Sequence, residues 1–193
     1  MPTKFDARKK EMLLSEEREN ALKPEQLLRG LGLKEGDTMA DIGCGPGFFT
    51  VPAALIVGER GVVLAADVQG EMLSAVKSRV TEKGLKNVRV VKTSDTDVPI
   101  PADSCDFVLL AFVLHEVDNR ASFLHKVGKL LKKKARLAVL EWQPIAEENG
   151  PPTENRIAPE TVAEDAAAAG LQVLDRHDLN DHHYVFVLGR TKA

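Results

Sequence analysis

Cysteine is scarce: Cys44 and Cys105 are the only two among 193 residues. Two thiols so far apart supply neither a disulfide framework nor a zinc site, and no metal site is expected; a reducing, cytoplasmic setting follows. No long hydrophobic run exists either. The longest unbroken one, Phe107 to Leu114, has eight residues, far short of the roughly 20 that cross a bilayer. From Lys4 to Glu19 the chain is charged without an apolar centre, which predicts no signal peptide. Neither sign of charge dominates: 26 basic against 29 acidic residues leave a net charge of −3, which argues against a broad nucleic-acid or anionic-membrane footprint. One local basic run, Lys126, Lys129, Lys132, Lys133, Lys134 and Arg136, reads as a solvated helix end whose cations suit the C-terminal dipole. Internal repeats and low-complexity linkers are missing as well. With 44% hydrophobic residues the chain has enough apolar surface for one α/β core, so residues 1–193 are expected to form a single domain.

The most informative stretch is Met39-Ala40-Asp41-Ile42-Gly43-Cys44-Gly45-Pro46-Gly47, an apolar strand that ends in an acid and runs into three alternate glycines. Glycine tolerates positive φ and has no Cβ, so backbone N–H groups can turn tightly and approach a ligand at the edge of a parallel sheet. Its partner signal is Val62-Val63-Leu64-Ala65-Ala66-Asp67, a buried-strand pattern closing on an acid 20 residues after Gly47, where a carboxylate can accept ribose hydroxyls. A dinucleotide fingerprint requires G-x-G-x-x-G. Here the third glycine arrives one residue early and Phe48 follows it, which disfavours NAD.

Short apolar segments alternate with helical periodicity along the rest of the chain. Strands are expected at Thr38 to Ile42, Val62 to Asp67, Val88 to Lys92, Phe107 to Phe112, Arg136 to Glu141, Leu171 to Arg176 and Tyr184 to Gly189. Met72, Val76 and Val80 recur at helical spacing, as do Leu124, Val127 and Leu131. Pro52 suits a first helical turn, Asp118 or Asn119 a helix cap, and Pro159-Glu160 the start of an alanine-rich helix that stops at Gly170. The segment Asp178 to Asp181 is too short for a crossover helix, so the last two strands should form an antiparallel hairpin.

With Asp41 leading it, the segment Asp41-Ile42-Gly43-Cys44-Gly45-Pro46-Gly47 resembles the first motif of class I S-adenosylmethionine-dependent methyltransferases. Leu64 to Leu73 is similar to the second motif of the small-molecule members of the ubiquinone-biosynthesis and arsenite-methylating type. Val98 to Phe107, followed by Val108 to Val117, resembles the stretch that leads into their fourth strand. The resemblance implies a Rossmann-like three-layer α/β sandwich whose seven-stranded, mostly parallel sheet has one antiparallel strand. It also implies a helical extension, residues 1–36, folded over the site, and a core at 37–193.

The resemblance further implies S-adenosylmethionine as cofactor. Gly43, Cys44, Gly45 and Gly47 would approach its methionine end, Asp41 its ammonium, Asp67 both ribose hydroxyls, and Val68 and Met72 the adenine, with Ala111 beside the site. The third motif departs from the family pattern. Ser94 stands where the adenine-binding acid is usual and Asp95 comes one position later, so Ser94, Asp95 and Thr96 are alternatives for that role. Lys132-Lys133-Lys134-Ala135 replaces the usual Lys-Pro-Gly-Gly, a change confined to a turn far from the chemistry.

A sulfonium is already a good electrophile, so methyl transfer depends mainly on alignment, which supplies on the order of 7–11 kcal/mol. A base is needed only for an acceptor that must lose a proton. His115, just after the fourth strand, is the candidate base, with Glu116 next to it, and Glu141 and Trp142 at the end of the fifth strand are candidate pocket residues. Asp181-His182-His183 does not read as a metal site, because adjacent histidines on a strand point to opposite faces. Two cysteines are too few for arsenite chemistry, and the absence of an Asn-Pro-Pro-Tyr type motif argues against DNA bases. The reading is an enzyme, monomer or homodimer, acting on a small-molecule methyl acceptor. The rival reading is a cofactor-binding regulatory protein without turnover.

Overall fold

The computed structural model describes residues 5–94, 97–147 and 150–191. Seven strands form one sheet: β1 (Thr38–Ile42), β2 (Val62–Asp67), β3 (Val88–Lys92), β4 (Cys105–Ala111), β5 (Leu131–Trp142), β6 (Leu171–Asn180) and β7 (His183–Arg190). Their spatial order is β3-β2-β1-β4-β5-β7-β6. The first five pair in parallel, while β7 runs antiparallel to both β5 and β6. The α-helices among the described residues are α1 (Glu16–Leu22), α2 (Pro24–Gly30), α3 (Thr50–Val57), α4 (Gly70–Glu82), α5 (Arg120–Gly128) and α6 (Pro159–Ala168).

Alternation along the central strands divides the core in two. Phe107 and Leu109 of β4 join Met39, Val63, Ala138 and Val185 beneath α2 and α3. Val108 and Leu110 join Ile42, Leu137, Val139 and Leu188 beneath α5 and α6. Successive side chains on a strand point to opposite faces, so near-continuous apolar strands serve two helical layers at once. This is the expected three-layer sandwich with one reversed strand. The chain leaves β1 toward β2 on one side and later enters β4 on the other, and the crevice at such a reversal is where open α/β sheets place their ligands.

Boundaries of β4 to β7 differ from expectation, most of all between α5 and β5. The periodicity of Leu124, Val127 and Leu131 predicted a helix through Leu131, yet α5 ends at Gly128 and Leu131 opens β5 as a buried strand residue. Lys132, Lys133 and Lys134 therefore lie on an irregular strand start and not on a helix end. The register shifts there, with Cys105 paired to Leu131 but Phe107 to Arg136, and Lys134 adopts φ 72°. Lys132 pairs with Asp106 at 2.7 Å. The turn expected at Lys132 to Ala135 is therefore absent: these residues belong to β5, where Lys134 takes the left-handed backbone angle at the register shift. Asn119 caps α5 by accepting from the Ser122 N–H at 3.0 Å, and β6 runs on to Asn180, leaving a two-residue turn at Asp181 and His182.

Candidate cofactor and acceptor site

Gly43, Gly45 and Gly47 all take positive φ, at 71°, 53° and 87°. The N–H groups of Gly43 and Cys44 both donate to the Ala66 carbonyl, at 2.8 and 3.0 Å, which ties the turn to the end of β2. A Cβ on Gly43 would stand 2.4 Å from Val113 Cγ2, so close packing as well as backbone angle demands glycine there. Arg79 of α4 donates to the carbonyls of Gly47 and Pro46 at 2.7 and 3.2 Å and holds the turn from outside.

The two acids predicted to grip the cofactor are brought together. Asp67 Oδ2 accepts from the Gly45 N–H at 2.9 Å and Oδ1 from the Gln69 N–H at 2.7 Å, so the acid closing β2 is a direct part of the glycine turn. Burial pushes its pKa up while these N–H donors pull it down. Asp41 is buried beneath the turn and accepts from Thr50 Oγ1 at 2.6 Å. Burial raises its pKa to about 7; the Thr50 hydroxyl opposes this and the charge of Asp67 adds to it. Cys44 is buried and its thiol is pushed well up by burial, with the nearby charges of Asp41 and Asp67 adding to the effect. Met72 is buried on α4, and the Val68 carbonyl accepts from Lys92. Ser94 is exposed, accepting from the Asp97 N–H at 3.1 Å, whereas Asp95 and Thr96 lie outside the described residues.

Beyond Ala111, the last residue of β4, the chain enters a short 3-10 turn, Leu114–Glu116, that carries His115. His115 Nδ1 lies 2.9 Å from Glu141 Oε2, and Glu141 also accepts from the backbone N–H groups of His115 and Trp142 at 3.1 and 3.3 Å. An acid that receives three donors fixes the imidazole with Nδ1 as the donor and leaves Nε2 as the basic nitrogen. Burial disfavours the charged ring, but the hydrogen bond and charge of Glu141, with the charge of Glu116, outweigh it and raise the pKa above 6.5.

The N-terminal segment crosses this edge of the sheet. The Phe5 N–H donates to Glu116 Oε1 at 3.0 Å, Gln69 Nε2 donates to the Phe5 carbonyl at 2.9 Å, and Leu13 Cδ1 lies 3.6 Å from where a Gly45 Cβ would be. Among the described residues of 143–158 the only regular structure is the 3-10 turn Thr153–Asn155; Arg156 pins the segment by donating to the Pro151 and Gln143 carbonyls, pairing with Glu147 and sitting over Trp142. His182 turns outward to Glu147 at 2.7 Å, whereas His183 turns inward against Trp142 and Phe112. Sequence reasoning missed Thr50, Gln69, Arg79, Arg18 and Phe112. The last of these carried no signal beyond its place after a strand, although it adopts φ 62°, a strained angle that clusters at functional sites.

A glycine turn after the first strand, an acid closing the second and this sheet order together define the Rossmann-like class of S-adenosylmethionine-dependent methyltransferases. A model of the methyltransferase domain family matches residues 40–139, from β1 into β5. The ubiquinone/menaquinone biosynthesis C-methyltransferase UbiE of Vibrio vulnificus is 32% identical over 112 residues, 58% of this chain and 43% of that protein. The match thus spans less than half the length of that curated relative. A SAM dependent methyltransferase from Aquifex aeolicus superposes with a TM-score of 0.91 at 34% identity, covering 96% of this chain and 98% of that one. The geranyl diphosphate C-methyltransferase of Streptomyces coelicolor, crystallised with S-adenosyl-L-homocysteine, shares the fold at a TM-score of 0.75 and 16% identity, over 97% of this chain and 85% of that one. The chain belongs to the methyltransferase domain family.

Proposed function

We propose that this protein moves the methyl group of S-adenosylmethionine to a small-molecule acceptor by in-line displacement. The observation that carries the reading is the hydrogen bond from the Gly45 N–H to Asp67, which makes the turn after β1 and the acid after β2 one cradle. Asp67 keeps free lone pairs for both ribose hydroxyls; Asp41 lies beneath Gly43 to Gly47, where the ammonium of the methionine moiety would be held. Cys44, Val68, Met72 and Ala111 line the same edge, and Ser94, Asp95 and Thr96 follow β3 on the adenine side. His115, oriented by Glu141, is the base for an acceptor that must lose a proton, which would be taken up at Nε2. The described part of the extension, residues 5–36, acts as the cover, a role supported by Phe5, which bridges Glu116 and Gln69.

A cytoplasmic setting is supported by two free, buried thiols, and no helix among the described residues is long and apolar enough to cross a membrane. The net charge of −3 supports a small molecule over a nucleic acid. Calorimetry with S-adenosylhomocysteine tests the cradle: Asp67→Ala should weaken binding by at least about tenfold, as expected for losing hydrogen bonds to a charged group. An unchanged affinity would refute the assignment. Incubation of the protein with methyl-labelled cofactor and a cell extract should label a small molecule; label found only in macromolecules would reject the acceptor class.

A further inference from the structure

Between the glycine turn and the His115–Glu141 pair lies a cluster that the cofactor does not account for. Arg18 of α1 places its guanidinium carbon 5.0 Å from the ring centroids of both Phe48 and Phe112. Its Nε is buried without a hydrogen-bond partner, and among the described residues no carboxylate pairs with it. Around the same Phe112 ring stand Trp142, at 5.5 Å between centroids, and His183, at 5.0 Å, and these two rings are 4.4 Å apart. His183 Nδ1 is the other buried side-chain nitrogen without a partner among the described residues.

A guanidinium flanked by aromatic rings keeps its N–H donors in its own plane, where rings offer no acceptor. Burying such a cation without a carboxylate opposes folding, and a leucine or methionine would fill the space at no such cost. Burial holds Arg18 near a pKa of about 10, so it stays charged at neutral pH, and burial with the charge of Arg18 lowers that of His183 to about 4, so the imidazole stays neutral. Arg18 and one neutral hydrogen-bonding ring thus border an aromatic wall formed by Phe48, Phe112 and Trp142; the guanidinium of Arg156, which also lies over Trp142, is already paired with Glu147. The wall is continuous in sequence with the chemistry: Phe48 follows Gly47, Phe112 follows Ala111, and Trp142 follows Glu141.

We infer that the methyl acceptor is a planar organic acid, its anionic oxygens held by Arg18 and His183 and its ring laid against Phe112 and Trp142. This rests on the methyltransferase reading above and adds the substrate class to it. Arg18 is the specificity-determining residue, gripping the acceptor in the fork geometry that suits carboxylates. His115, three residues beyond Phe112 in the chain, stays the base for an acceptor of this class that must lose a proton.

Trp142 is the only tryptophan in the chain, so its fluorescence reports on this cluster alone. The test is titration of the intact protein, with and without S-adenosylhomocysteine, using benzoate, 4-hydroxybenzoate, cinnamate and 1-hydroxy-2-naphthoate, each against its own neutral amide. At least one acid should bind about tenfold or more tightly than its amide, in keeping with loss of a charge-assisted pair. Arg18→Met should abolish that preference while S-adenosylhomocysteine affinity by calorimetry stays within about twofold, and Arg18→Lys should restore part of it. No acid preference in any pair, or one that survives in Arg18→Met, overturns the inference. Failure of the wild type to bind S-adenosylhomocysteine would instead count against the methyltransferase reading, because the acid-to-amide ratio is read without cofactor too.

Discussion

Asp41 shows how burial changes the proton balance of an ordinary acid. Its pKa of about 7 lies far above the unfolded value of 3.8, so between these limits the folded chain holds a proton that the unfolded chain has released. Stability of the free protein should therefore fall as pH rises from about 4 to 7, and Asp41→Asn, which keeps an acceptor for Thr50, should flatten that slope in denaturant titrations. An ammonium brought beside Asp41 favours the charged form, so S-adenosylhomocysteine binding at pH 7 should release about half a proton. Heats measured in buffers of different ionisation enthalpy will show it, and the release should vanish in Asp41→Asn. Gly43 tests geometry in place of charge. Gly43→Ala puts a Cβ 2.4 Å from Val113 Cγ2 at a left-handed φ, and thermal melts should show a loss of about 1–3 kcal/mol.

At the scale of elements, β4 and β5 deliver His115 and Glu141 to one point from positions 26 residues apart. Burial alone would lower the His115 pKa, and it is the carboxylate of β5 that reverses the sign. NMR titration, with the signal assigned through His115→Asn, should place the wild-type imidazole above 6.5 and the Glu141→Gln ring below it. An unchanged value would mean that Glu141 does not set the charge of His115. The same pairing between strands explains the aromatic wall: Trp142 of β5 lies opposite His183 of β7 in register, so the inward turn of His183 follows from the sheet. In the hairpin, His182 and His183 point to different surroundings, but not by strand alternation: His182 lies in the turn and reaches Glu147, while His183 opens β7 and packs against Trp142.

The whole molecule couples these elements through the switch point of its sheet. A ligand bound only to the folded state stabilises it by mass action, about 2.7 kcal/mol at one hundred times its dissociation constant. For a chain of 193 residues this corresponds to a rise in melting temperature of roughly 5–10 °C with S-adenosylhomocysteine. The rise should be absent in Asp67→Ala, and its persistence there would show binding elsewhere. Buried Tyr184, whose hydroxyl donates to the Ile157 carbonyl at 2.7 Å, shows how the reversed strand β7 anchors the loop leading to α6.

Much of this was legible in sequence because it is local. A parallel strand buried on both faces must be an apolar run, so β1 and β2 were read to the residue; the edge strand β3, which has no buried residue, was legible from its β-branched valines; and a tight turn approached by a ligand needs glycine, so Gly43, Gly45, Gly47 and Asp67 stood out. The end of α5 was misplaced because Leu131 satisfies both a helical stripe and the start of a buried strand, and periodicity cannot separate the two. Arg18, Phe112 and His183 lie 94 and 71 residues apart along the chain and have no spacing to betray them. An arginine in a charged helix looks like any solvated cation until folding removes its water. The linear order of residues thus determined the sheet, the glycine turn and the acids beside it, through periodicity and backbone sterics. Only the tertiary structure decided which charges are buried and what faces them, because desolvation and side-chain pairing arise from segments that meet in space and not in sequence.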